Sequence, residues 1–492
     1  LRGMFAFCLW DSSKNAMLIA RDPYGIKPVY YADDGGTVRV ASQVKALSRS
    51  KRVSKERDLA GIAGFYLFGS VPDPRTTFSD IRPLSAGSYV WVNSQGISKE
   101  SNYFSVSDIF FEAECNPLQL SFDDAQEGIR AAVEETIRHH FIADVPVGIF
   151  LSSGIDSSAI AAIALEAGHR DLHTLTLGFS EYSGTADDEV PLAKNVASFF
   201  KTRHSVHYLD QSEFKTDLGN LLKTMDQPSI DGINTYFVSK AASQCGWKVA
   251  LSGVGGDEIF GGYSSFQDIP KIVNAMSGLG RIPLIGDLSY QLLDPISRRF
   301  SLNPKIKGVG KYGKSYEGAY LLKRGLFLPE ELSEVMGKDA AEEGLKQLDA
   351  LTLIGDEKSN HVTLPYSKIA SLESSLYMKN QLLRDADWAG MAHSLEIRTP
   401  LVDSFFLKAV APIIASRPLI KGKGMLANSP RKSLPQEIKT RAKTGFTVPV
   451  NRWLESDNNL DAWKSIKTLK NTNCPWARRW AYTVINQSSE AS

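Results

Sequence analysis

The sequence predicts an α/β protein whose main domain is a doubly wound parallel sheet with a helical C-terminal part, preceded by a smaller strand-rich region. Three observations support this prediction. Strand-like and helix-like runs alternate between residues 122 and 251, β-branched and aromatic runs separated by turns dominate residues 3–92, and the pattern beyond residue 263 is mostly helical. The length of 492 residues is enough for about three domains at ~150 residues each.

The composition is that of an ordinary globular protein, with 43% hydrophobic and 23% charged residues. Lysine and arginine total 56 against 55 for aspartate and glutamate, a formal net charge of +1, which argues against a nucleic-acid coat or a polybasic membrane binder. Uninterrupted apolar runs stay short of the ~18 residues that a membrane helix needs. The four cysteines lie far apart, so neither a disulfide framework nor a zinc site is predicted. We therefore expect a cytoplasmic protein of enzyme size that binds neither nucleic acid nor a membrane.

Residues 1–105 are predicted to form one strand-rich region. Strands are expected at residues 4–10, 16–20, 29–32, 37–41 and 87–92, with helical stretches after Ser42 and Asp58. Periodicity is lost over residues 101–121, which places a linker at 106–121. Because the chain opens at Leu1 inside a strand-like run, we expect it to lack its natural N-terminus.

The second predicted domain, residues 122–465, opens with a long helix at 122–141, in which apolar residues repeat every four positions. Strands are then expected at 145–151, 172–179, 205–209 and 248–251, and helices at 157–167, 189–200 and 234–244. In such a sheet the ligand lies beyond the carboxyl ends of the strands. The basic stretch 298–314 is expected to be a solvated loop, and residues 466–492 a C-terminal tail.

The strongest local signal is the stretch 150–158, FLSSGIDSS, in which an apolar strand ends in a loop of small residues and a helix begins at once. Small residues let backbone N–H groups converge on a phosphate, and the helix N-terminus adds a favourable field. Asp156 is the unusual member, because a carboxylate beside phosphates is repelled unless a divalent cation lies between them. The alternative is a plain tight turn with a helix N-cap.

A second loop, residues 251–263, has the sequence LSGVGGDEIFGGY and follows a later strand. So many glycines around an acidic pair are costly to order unless the backbone must approach a ligand closely. Asp257 could join Asp156 in holding one Mg²⁺ between two strand ends. The two loops together therefore predict a phosphate and metal site at one edge of the sheet.

These motifs resemble those of the glutamine-hydrolysing asparagine synthetase family. SSGIDS at 152–157 is similar to the SGGxDS pyrophosphate loop of N-type ATP pyrophosphatases, and 252–263 is similar to the SGxGGDExFGGY signature of asparagine synthetases. MAHSLEIRTPLVD at 391–403 and RAKTGF at 441–446 resemble later motifs, while residues 3–10, 21–28 and 41–42 resemble the back half of a class II glutaminase domain. The matches run in order from residue 3 to about residue 454.

The resemblance implies a two-step, ATP-dependent ligase. ATP would activate a substrate carboxylate as an acyl-adenylate with release of pyrophosphate, and ammonia from glutamine, travelling through an internal tunnel, would then attack it. The implied fold is an ATP pyrophosphatase domain preceded by half of an α+β N-terminal-nucleophile glutaminase domain. The implied cofactors are ATP and Mg²⁺, the substrates are aspartate or another carboxylate and ammonia or glutamine, and a homodimer is the candidate assembly.

By motif position, the resemblance also implies a role for each site residue. Leu151 and Leu177 would contact the adenosine part through their backbone. Lys443 would stabilise charge on the phosphates and adenylate, and Glu396 would help to manage protons near the acyl centre. The phosphates would be held by Ser152, Ser153, Gly154, Ser157, Ser252, Gly253 and Gly255, and Mg²⁺ by Asp156 and Asp257. From the residues alone, Lys443 would be a surface lysine and Glu396 a salt-bridge partner of Arg398.

Departures from the family pattern concern the acceptor side. Val254 stands where asparagine synthetases usually carry a carboxylate, which would remove a proton from the attacking amine, and Trp388 stands where an arginine is common. Ser153 replaces a loop glycine but is small enough to keep the backbone contacts. The acceptor is therefore predicted to be aspartate or, alternatively, another carboxylate such as a uronic acid of a surface polysaccharide or a peptide carboxylate.

Two further expectations follow from the same comparison of motifs. A third hypothesis is that the chain is a non-catalytic homologue. The joint presence of Asp156, Asp257 and Lys443 argues against this hypothesis, because a protein without catalytic activity has no need for these three residues. The family's N-terminal cysteine nucleophile and Asn-Gly segment have no counterpart before residue 3, and Cys8 lies within a strand. We therefore expect this chain not to hydrolyse glutamine.

Overall fold

The computed structural model describes residues 1–279, 304–355, 361–416, 423–441, 448–455, 460–471 and 474–490. The strands up to residue 102 are β1 (Ala6–Asp11), β2 (Ala16–Arg21), β3 (Tyr30–Asp33), β4 (Val38–Ala41), β5 (Arg82–Pro83), β6 (Ser88–Asn93), β7 (Gly96–Ile97) and β8 (Ser101–Asn102). They form two antiparallel sheets, one with the order β1-β2-β6-β7 and β8 paired to β6, the other with the order β4-β3-β5. Helices α1 (Val44–Ser48) and α2 (Leu59–Phe68) follow Ser42 and Asp58 as expected.

The predicted linker at 106–121 contains helix α3 (Val106–Cys115). The Ser105 hydroxyl caps this helix by accepting the N–H of Asp108, and Phe110 is fully buried in the main core. The sequence reading missed the helix because its apolar face is only three residues long and is flanked by polar residues on both sides.

The strands of the central sheet are β9 (Val147–Phe150), β10 (His173–Phe179), β11 (Arg203–Leu209), β12 (Val249–Leu251) and β13 (Glu396–Arg398). They are all parallel and lie in the order β11-β10-β9-β12-β13, which confirms the predicted parallel α/β sheet. The chain moves outward from β9 to β11 and then returns to the other side of β9 with β12. Open α/β sheets bind ligands at the carboxyl ends of the strands where the strand order reverses, which here is the gap between β9 and β12.

The helices around this sheet are α4 (Phe122–His140), α5 (Ile155–Glu166), α6 (Val190–Phe200), α7 (Gln211–Thr224) and α8 (Ile233–Gln244). The four predicted helices of this part are confirmed within a few residues. Helix α7 was missed, because most of its residues are polar. It buries only three residues, Phe214, Asp217 and Leu221.

From residue 256 onward the described part of the chain is mainly helical, as predicted. Its helices are α9 (Gly256–Phe260), α10 (Ser265–Leu279), α11 (Val309–Tyr312), α12 (Tyr316–Arg324), α13 (Leu332–Met336), α14 (Lys338–Leu348), α15 (Ala350–Ile354), α16 (Pro365–Leu372), α17 (Arg384–Met391), α18 (Ser404–Ala415), α19 (Gly424–Ala427), α20 (Gln436–Thr440), α21 (Val450–Glu455) and α22 (Trp476–Glu490). A π-helical segment, Glu373–Leu383, joins α16 to α17 directly. In the predicted loop at 298–314, residues 298–303 lie outside the described residues, and the remainder forms a 3-10 turn and α11.

The predicted C-terminal tail at 466–492 is folded wherever the structure describes it. Helix α22 buries Trp480 completely, and its Arg478 pairs with the buried carboxylate of Glu331 at 2.9 Å. The sequence reading missed this helix because polar and basic residues surround the few apolar side chains that face the core.

The N-terminal region is packed against the rest of the molecule. Helices α2 and α14 approach so closely that a Cβ atom on Gly344 would lie 2.5 Å from the carbonyl oxygen of Leu59. At the same boundary the buried carboxylate of Asp73 accepts hydrogen bonds from Arg21 at 3.3 Å and from Arg384 at 3.0 Å. The two parts of the chain therefore share both apolar packing and a buried ionic contact.

Candidate active site

The loop between β9 and α5 is held in shape by its own serines. The N–H of Ser152 donates to Ser157 Oγ at 3.1 Å, and the N–H of Gly154 donates to Ser152 Oγ at 3.1 Å. Helix α5 begins directly after Gly154, which has no side chain to cover the first helical N–H groups. Since helix α5 is 12 residues long, its N-terminus carries a full helix dipole and suits a phosphate.

Ser153 is buried beneath this loop rather than exposed on it. Its hydroxyl accepts a hydrogen bond from the guanidinium of Arg441, which also pairs with Glu189 at 3.4 Å, next to the start of α6. The serine that replaces a loop glycine thus anchors an arginine beside the predicted phosphate site. Our sequence reading assigned no role to Arg441, although it is the first residue of the RAKTGF motif.

The second loop follows β12 and is pressed against the first. The N–H of Ser252 donates to the carbonyl of Arg398 at 2.8 Å, which ties the loop to β13. A Cβ atom on Gly253 would lie 2.8 Å from Asp156 Cβ, and one on Gly256 would lie 2.3 Å from Asp156 Oδ1. Glycine is therefore required at both positions if Asp156 is to keep its place between the loops.

A third glycine in this loop, Gly255, is required by its backbone conformation as well as by a close contact. Gly255 has a φ of 101°, in the left-handed region, and its N–H donates to the carboxylate of Glu258 at 3.1 Å. A Cβ atom there would also lie 2.8 Å from the carbonyl oxygen of Leu401. Both the backbone angle and the close approach exclude larger residues.

Asp156 and Asp257 both contact the ammonium group of Lys423. The sequence predicts that the same two carboxylates hold Mg²⁺, and that assignment stays a prediction. The Nζ of Lys423 lies 2.5 Å from Asp257 Oδ1 and also contacts Asp156 Oδ2. Burial alone lowers the pKa of Lys423, but the charges of the two carboxylates outweigh it and raise that pKa above its ordinary value. The sequence reading missed Lys423, whose only local signal is its place between glycines in the stretch KGKG.

The same two carboxylates fit Mg²⁺. Carboxylate oxygens are the ligands that this ion prefers, and Lys423 shows that the pair already shares one positive charge. Within the described ranges no group of three or more His, Cys, Asp or Glu side chains could hold a metal. Two carboxylates alone are typical of a magnesium ion that takes its remaining ligands from substrate phosphates and water.

The backbone of β10 is open beside the phosphate loop. The N–H of Leu151 donates to the carbonyl of Leu175 at 2.8 Å, and pairing of β10 with β9 ends at Leu175. Because successive residues of a strand point their backbone groups to alternate sides, Leu177 directs its N–H and C=O to the same side as Leu175, beyond the end of β9. This position agrees with the backbone contact to adenosine expected of Leu177.

Glu258 and Tyr263 connect the second loop to the interior. The Tyr263 hydroxyl donates to Glu258 Oε1 at 2.7 Å, and the Tyr263 ring lies against the guanidinium of Arg324, 4.0 Å from Cζ to the ring centre. Burial and the neighbouring charge of Asp257 raise the pKa of Glu258 to about 7. Glu258 is therefore a buried carboxyl group that changes its charge near neutral pH.

Glu396 and Lys443 are the two predicted catalytic residues, and neither belongs to the two loops. Glu396 is the first residue of β13 and pairs with Val249, the first residue of β12. Its carboxylate accepts a hydrogen bond from Arg398 Nε at 2.6 Å. This is the salt bridge that the residues alone suggested. Lys443 lies outside the described residues, so its role stays a prediction.

The two departures on the predicted acceptor side differ in burial, since Val254 is partly buried and Trp388 is buried. Val254 packs against the main core. Trp388 is buried, and its Nε1–H donates to Asp385 Oδ1 at 2.7 Å, while the Ser229 hydroxyl donates to Asp385 Oδ2 at 2.7 Å. Burial and the charge of Asp231 raise the pKa of Asp385 to about 7.

A cavity of about 150 Å³ lies between the N-terminal region and the sheet domain. Arg21, Ser42 and Gln43 line it from one side, and Arg384 and Trp388 from the other. Polar groups from both parts of the chain therefore line one cavity.

None of the helices that the structure describes has the length and apolar character needed to cross a membrane.

Comparison with known proteins gives two domain families. Residues 128–472 match the asparagine synthase family, and residues 1–104 match a glutamine amidotransferase domain family. The chain is 30% identical over 474 residues to asparagine synthetase [glutamine-hydrolyzing] 1 of Bacillus subtilis, covering 93% of the chain and 70% of the relative. It is also 30% identical over 507 residues to a putative asparagine synthetase [glutamine-hydrolyzing] of Mycobacterium tuberculosis, covering 99% and 70%. Identity to asparagine synthetase B of Escherichia coli is 32% over 289 residues, covering 55% and 45%.

Proposed function

The chain belongs to the asparagine synthase family, a family of ATP-dependent amide ligases, and from that membership we propose that it converts aspartate to asparagine. In the proposed reaction ATP is cleaved to AMP and pyrophosphate, and glutamine is the source of the ammonia. The observation that carries the proposal is the convergence of Asp156 and Asp257 on one cation beside the N-terminus of α5. That arrangement suits a triphosphate and its metal ion.

The proposed first step is adenylation. An oxygen of the acceptor carboxylate attacks the α-phosphorus of ATP, the bond to the β-phosphate breaks, and pyrophosphate leaves. The N–H groups at the start of α5 and the charges of Lys423, Lys443 and Arg441 stabilise the negative charge of the phosphates. Mg²⁺, held by Asp156 and Asp257, would neutralise further charge on the triphosphate when bound.

The proposed second step is amide formation. The nitrogen of ammonia attacks the acyl carbon, the carbon–oxygen bond to AMP breaks, and the nitrogen gives up a proton. Val254 cannot accept that proton, so we assign it to Glu396 or to water. The cavity of about 150 Å³ between the two parts of the chain supports delivery of ammonia across their boundary.

A second candidate is the same chemistry on another carboxylate, such as a uronic acid or a peptide carboxylate. Val254 and Trp388 favour it, because both lie where the family pattern has charged residues.

A cytoplasmic location and a homodimer also belong to the proposal. Cell fractionation tests the location, and light scattering tests the homodimer.

The test is incubation of the chain with ATP, Mg²⁺ and ammonium, and with aspartate or a panel of sugar acids, while pyrophosphate release and product mass are measured. Asparagine formed together with aspartate-dependent pyrophosphate supports the proposal. Pyrophosphate release with another carboxylate, and not with aspartate, would make that carboxylate the substrate. If no carboxylate gives more pyrophosphate than the Asp156→Asn variant, ligase activity of this chain is refuted.

A further inference from the structure

The two carboxylates that we propose as magnesium ligands are paired with a cation of the chain itself. The ammonium group of Lys423 contacts Asp156 Oδ2 and lies 2.5 Å from Asp257 Oδ1. All three side chains are at most 17% exposed, so water screens their charges only weakly. One lysine therefore uses carboxylate oxygens that a metal ion would need.

The backbone of Lys423 is fixed by the core of the domain. Lys423 directly precedes α19, and its carbonyl accepts the N–H of Ala427 at 2.8 Å. Met425, in the same helix, is buried in the main core, and its carbonyl accepts a hydrogen bond from Gln126 Nε2 of α4 at 2.8 Å. The ammonium group thus reaches the two loops from a third, separately anchored segment.

The second loop leaves space for this lysine at Gly262. A Cβ atom on Gly262 would lie 2.5 Å from Lys423 Cε, and the N–H of Gly262 donates to the carbonyl of Asp257 at 2.9 Å. Any side chain at position 262 would therefore push the lysine away from Asp257. The pairing of Lys423 with the two carboxylates is built into the shape of the loop.

Charge decides which cations the two carboxylates can hold at the same time. A divalent ion beside the ammonium group of Lys423 would place three positive charges against the two negative charges of Asp156 and Asp257. Like charges a few ångströms apart in a poorly solvated site repel each other strongly. A triphosphate brings enough negative charge to pair with both the metal ion and the lysine.

We propose that Lys423 is an internal counter-ion that keeps a divalent metal ion from Asp156 and Asp257 until a triphosphate binds. Without nucleotide, metal binding has to displace the lysine, whereas the phosphates of a bound nucleotide offer its ammonium group a new partner. Metal and nucleotide binding are then positively coupled, and each strengthens the other by the same factor. This inference rests on the proposed function, in which the same carboxylates hold Mg²⁺.

The test measures Mn²⁺ binding to the whole chain from the electron paramagnetic resonance signal of free Mn²⁺. Mn²⁺ is a suitable probe because it takes the same oxygen ligands as Mg²⁺. Lys423→Met removes the charge and keeps most of the length of the side chain. Without nucleotide, Lys423→Met should bind Mn²⁺ at least about tenfold more tightly than the unmodified chain, an effect within the range usual for coupled sites.

A second readout is the effect of nucleotide on Mn²⁺ affinity, measured with α,β-methylene ATP, which cannot release pyrophosphate. The factor by which this analogue strengthens Mn²⁺ binding should be at least about tenfold smaller in Lys423→Met than in the unmodified chain. Binding of Mn²⁺ to the analogue in solution is the same for both proteins, so it cancels in this comparison.

Further variants assign the effect to the two carboxylates. Adding Asp156→Asn to Lys423→Met should remove the gained Mn²⁺ affinity. Lys408→Met, at an exposed lysine of α18, is the matched control and should change neither readout. Lys423→Gln also lacks the charge and serves if Lys423→Met does not fold. Equal Mn²⁺ affinities of the folded charge-free variant and the unmodified chain, or a gain that survives Asp156→Asn, would overturn the inference.

Pyrophosphate release by the unmodified chain separates this inference from the proposed function. Tighter Mn²⁺ binding in Lys423→Met, without pyrophosphate release in the presence of any carboxylate, supports the inference and refutes the ligase proposal. Pyrophosphate release that depends on Asp156, together with equal Mn²⁺ affinities of the two proteins, supports the ligase and refutes the inference.

Discussion

The sheet edge has two sides that are built in different ways: a predicted phosphate side, formed by the two loops that carry Asp156 and Asp257, and a cavity side, formed around the cavity of about 240 Å³ that Asp231 and Arg324 line. On the phosphate side, two short loops offer backbone N–H groups, glycines and acidic side chains, and nearly all of these residues lie in two contiguous stretches. On the cavity side, the polar side chains come from the segment before α8, from α12 and from the π-helical segment. A site made by backbone leaves a motif in the sequence, whereas a site made by distant side chains leaves none.

The strongest test of this difference removes a carboxylate from the phosphate side. Asp156→Asn or Asp257→Asn should abolish pyrophosphate release, a loss of about 10³-fold or more, since each supplies half of the proposed metal site. Each variant leaves Lys423 paired with the other carboxylate, so the circular dichroism spectrum should change little. The exposed Asp339→Asn is the control, and full activity in either loop variant would refute the metal assignment.

The next largest effect is expected at Lys443. Lys443→Ala should slow adenylation by ~10²–10³-fold, the cost of losing one preorganised charge at a transition state. Lys439→Ala, at a neighbouring half-buried lysine, should stay within about twofold. Equal rates for the two variants in a pyrophosphate assay would show that Lys443 is a surface lysine.

A smaller effect, on stability, is expected at the buried Trp388. Trp388→Phe removes the Nε1–H donor and leaves the Ser229 hydroxyl as the remaining side-chain donor to Asp385. An unsatisfied buried acceptor costs about 1–3 kcal/mol, which urea unfolding should detect, while KM for ATP should be unchanged. The control is Trp10→Phe, at a tryptophan that is 59% exposed, and it should change the free energy of unfolding by no more than ~0.5 kcal/mol. If Trp10→Phe destabilises the protein as much as Trp388→Phe does, this explanation is wrong.

The smallest effect concerns pH and the residue that connects the two sides. The pKa of Glu258 is raised from its ordinary 4.5 to about 7, so the folded state binds more protons than the unfolded chain between these values. Its contribution to stability is complete below about pH 4.5 and is lost as the pH rises through about 7. Glu258→Gln should therefore flatten the decline in unfolding free energy between pH 5 and 8. An unchanged slope in urea titrations would show that Glu258 does not titrate there.

The sequence predicted that the two loops lie together at the sheet edge, because glycines, serines and aspartates are adjacent along the chain in each loop. It could not predict Lys423 and Arg441, which contact Asp156 and Ser153 across 267 and 288 residues of sequence. Their positions depend on how later helices pack on the sheet, which periodicity does not report. The same limitation applies to the cavity side, whose Asp231 and Arg324 have no distinctive neighbours in sequence.

The fold itself was predictable where the apolar pattern was regular. Strands β9 to β12 are almost wholly apolar or alternate clearly, and all four were predicted. Helices α3, α7 and α22 each bury only a narrow apolar face among polar residues, and all three were missed. Strand β13 is three residues long and contains two charged residues, so only its pairing with β12 identifies it.

The buried carboxylate of Asp73 has a practical consequence for protein engineering. It belongs to the N-terminal region, yet Arg384 and Lys379 of the sheet domain lie 3.0 and 3.9 Å from it. Truncation at the boundary between the two matched families would leave both cations without this anion and would uncover the surface of α14 that packs on α2. For expression, domain exchange or directed evolution, the glutaminase-like region and the synthetase domain are best treated as a single inseparable unit.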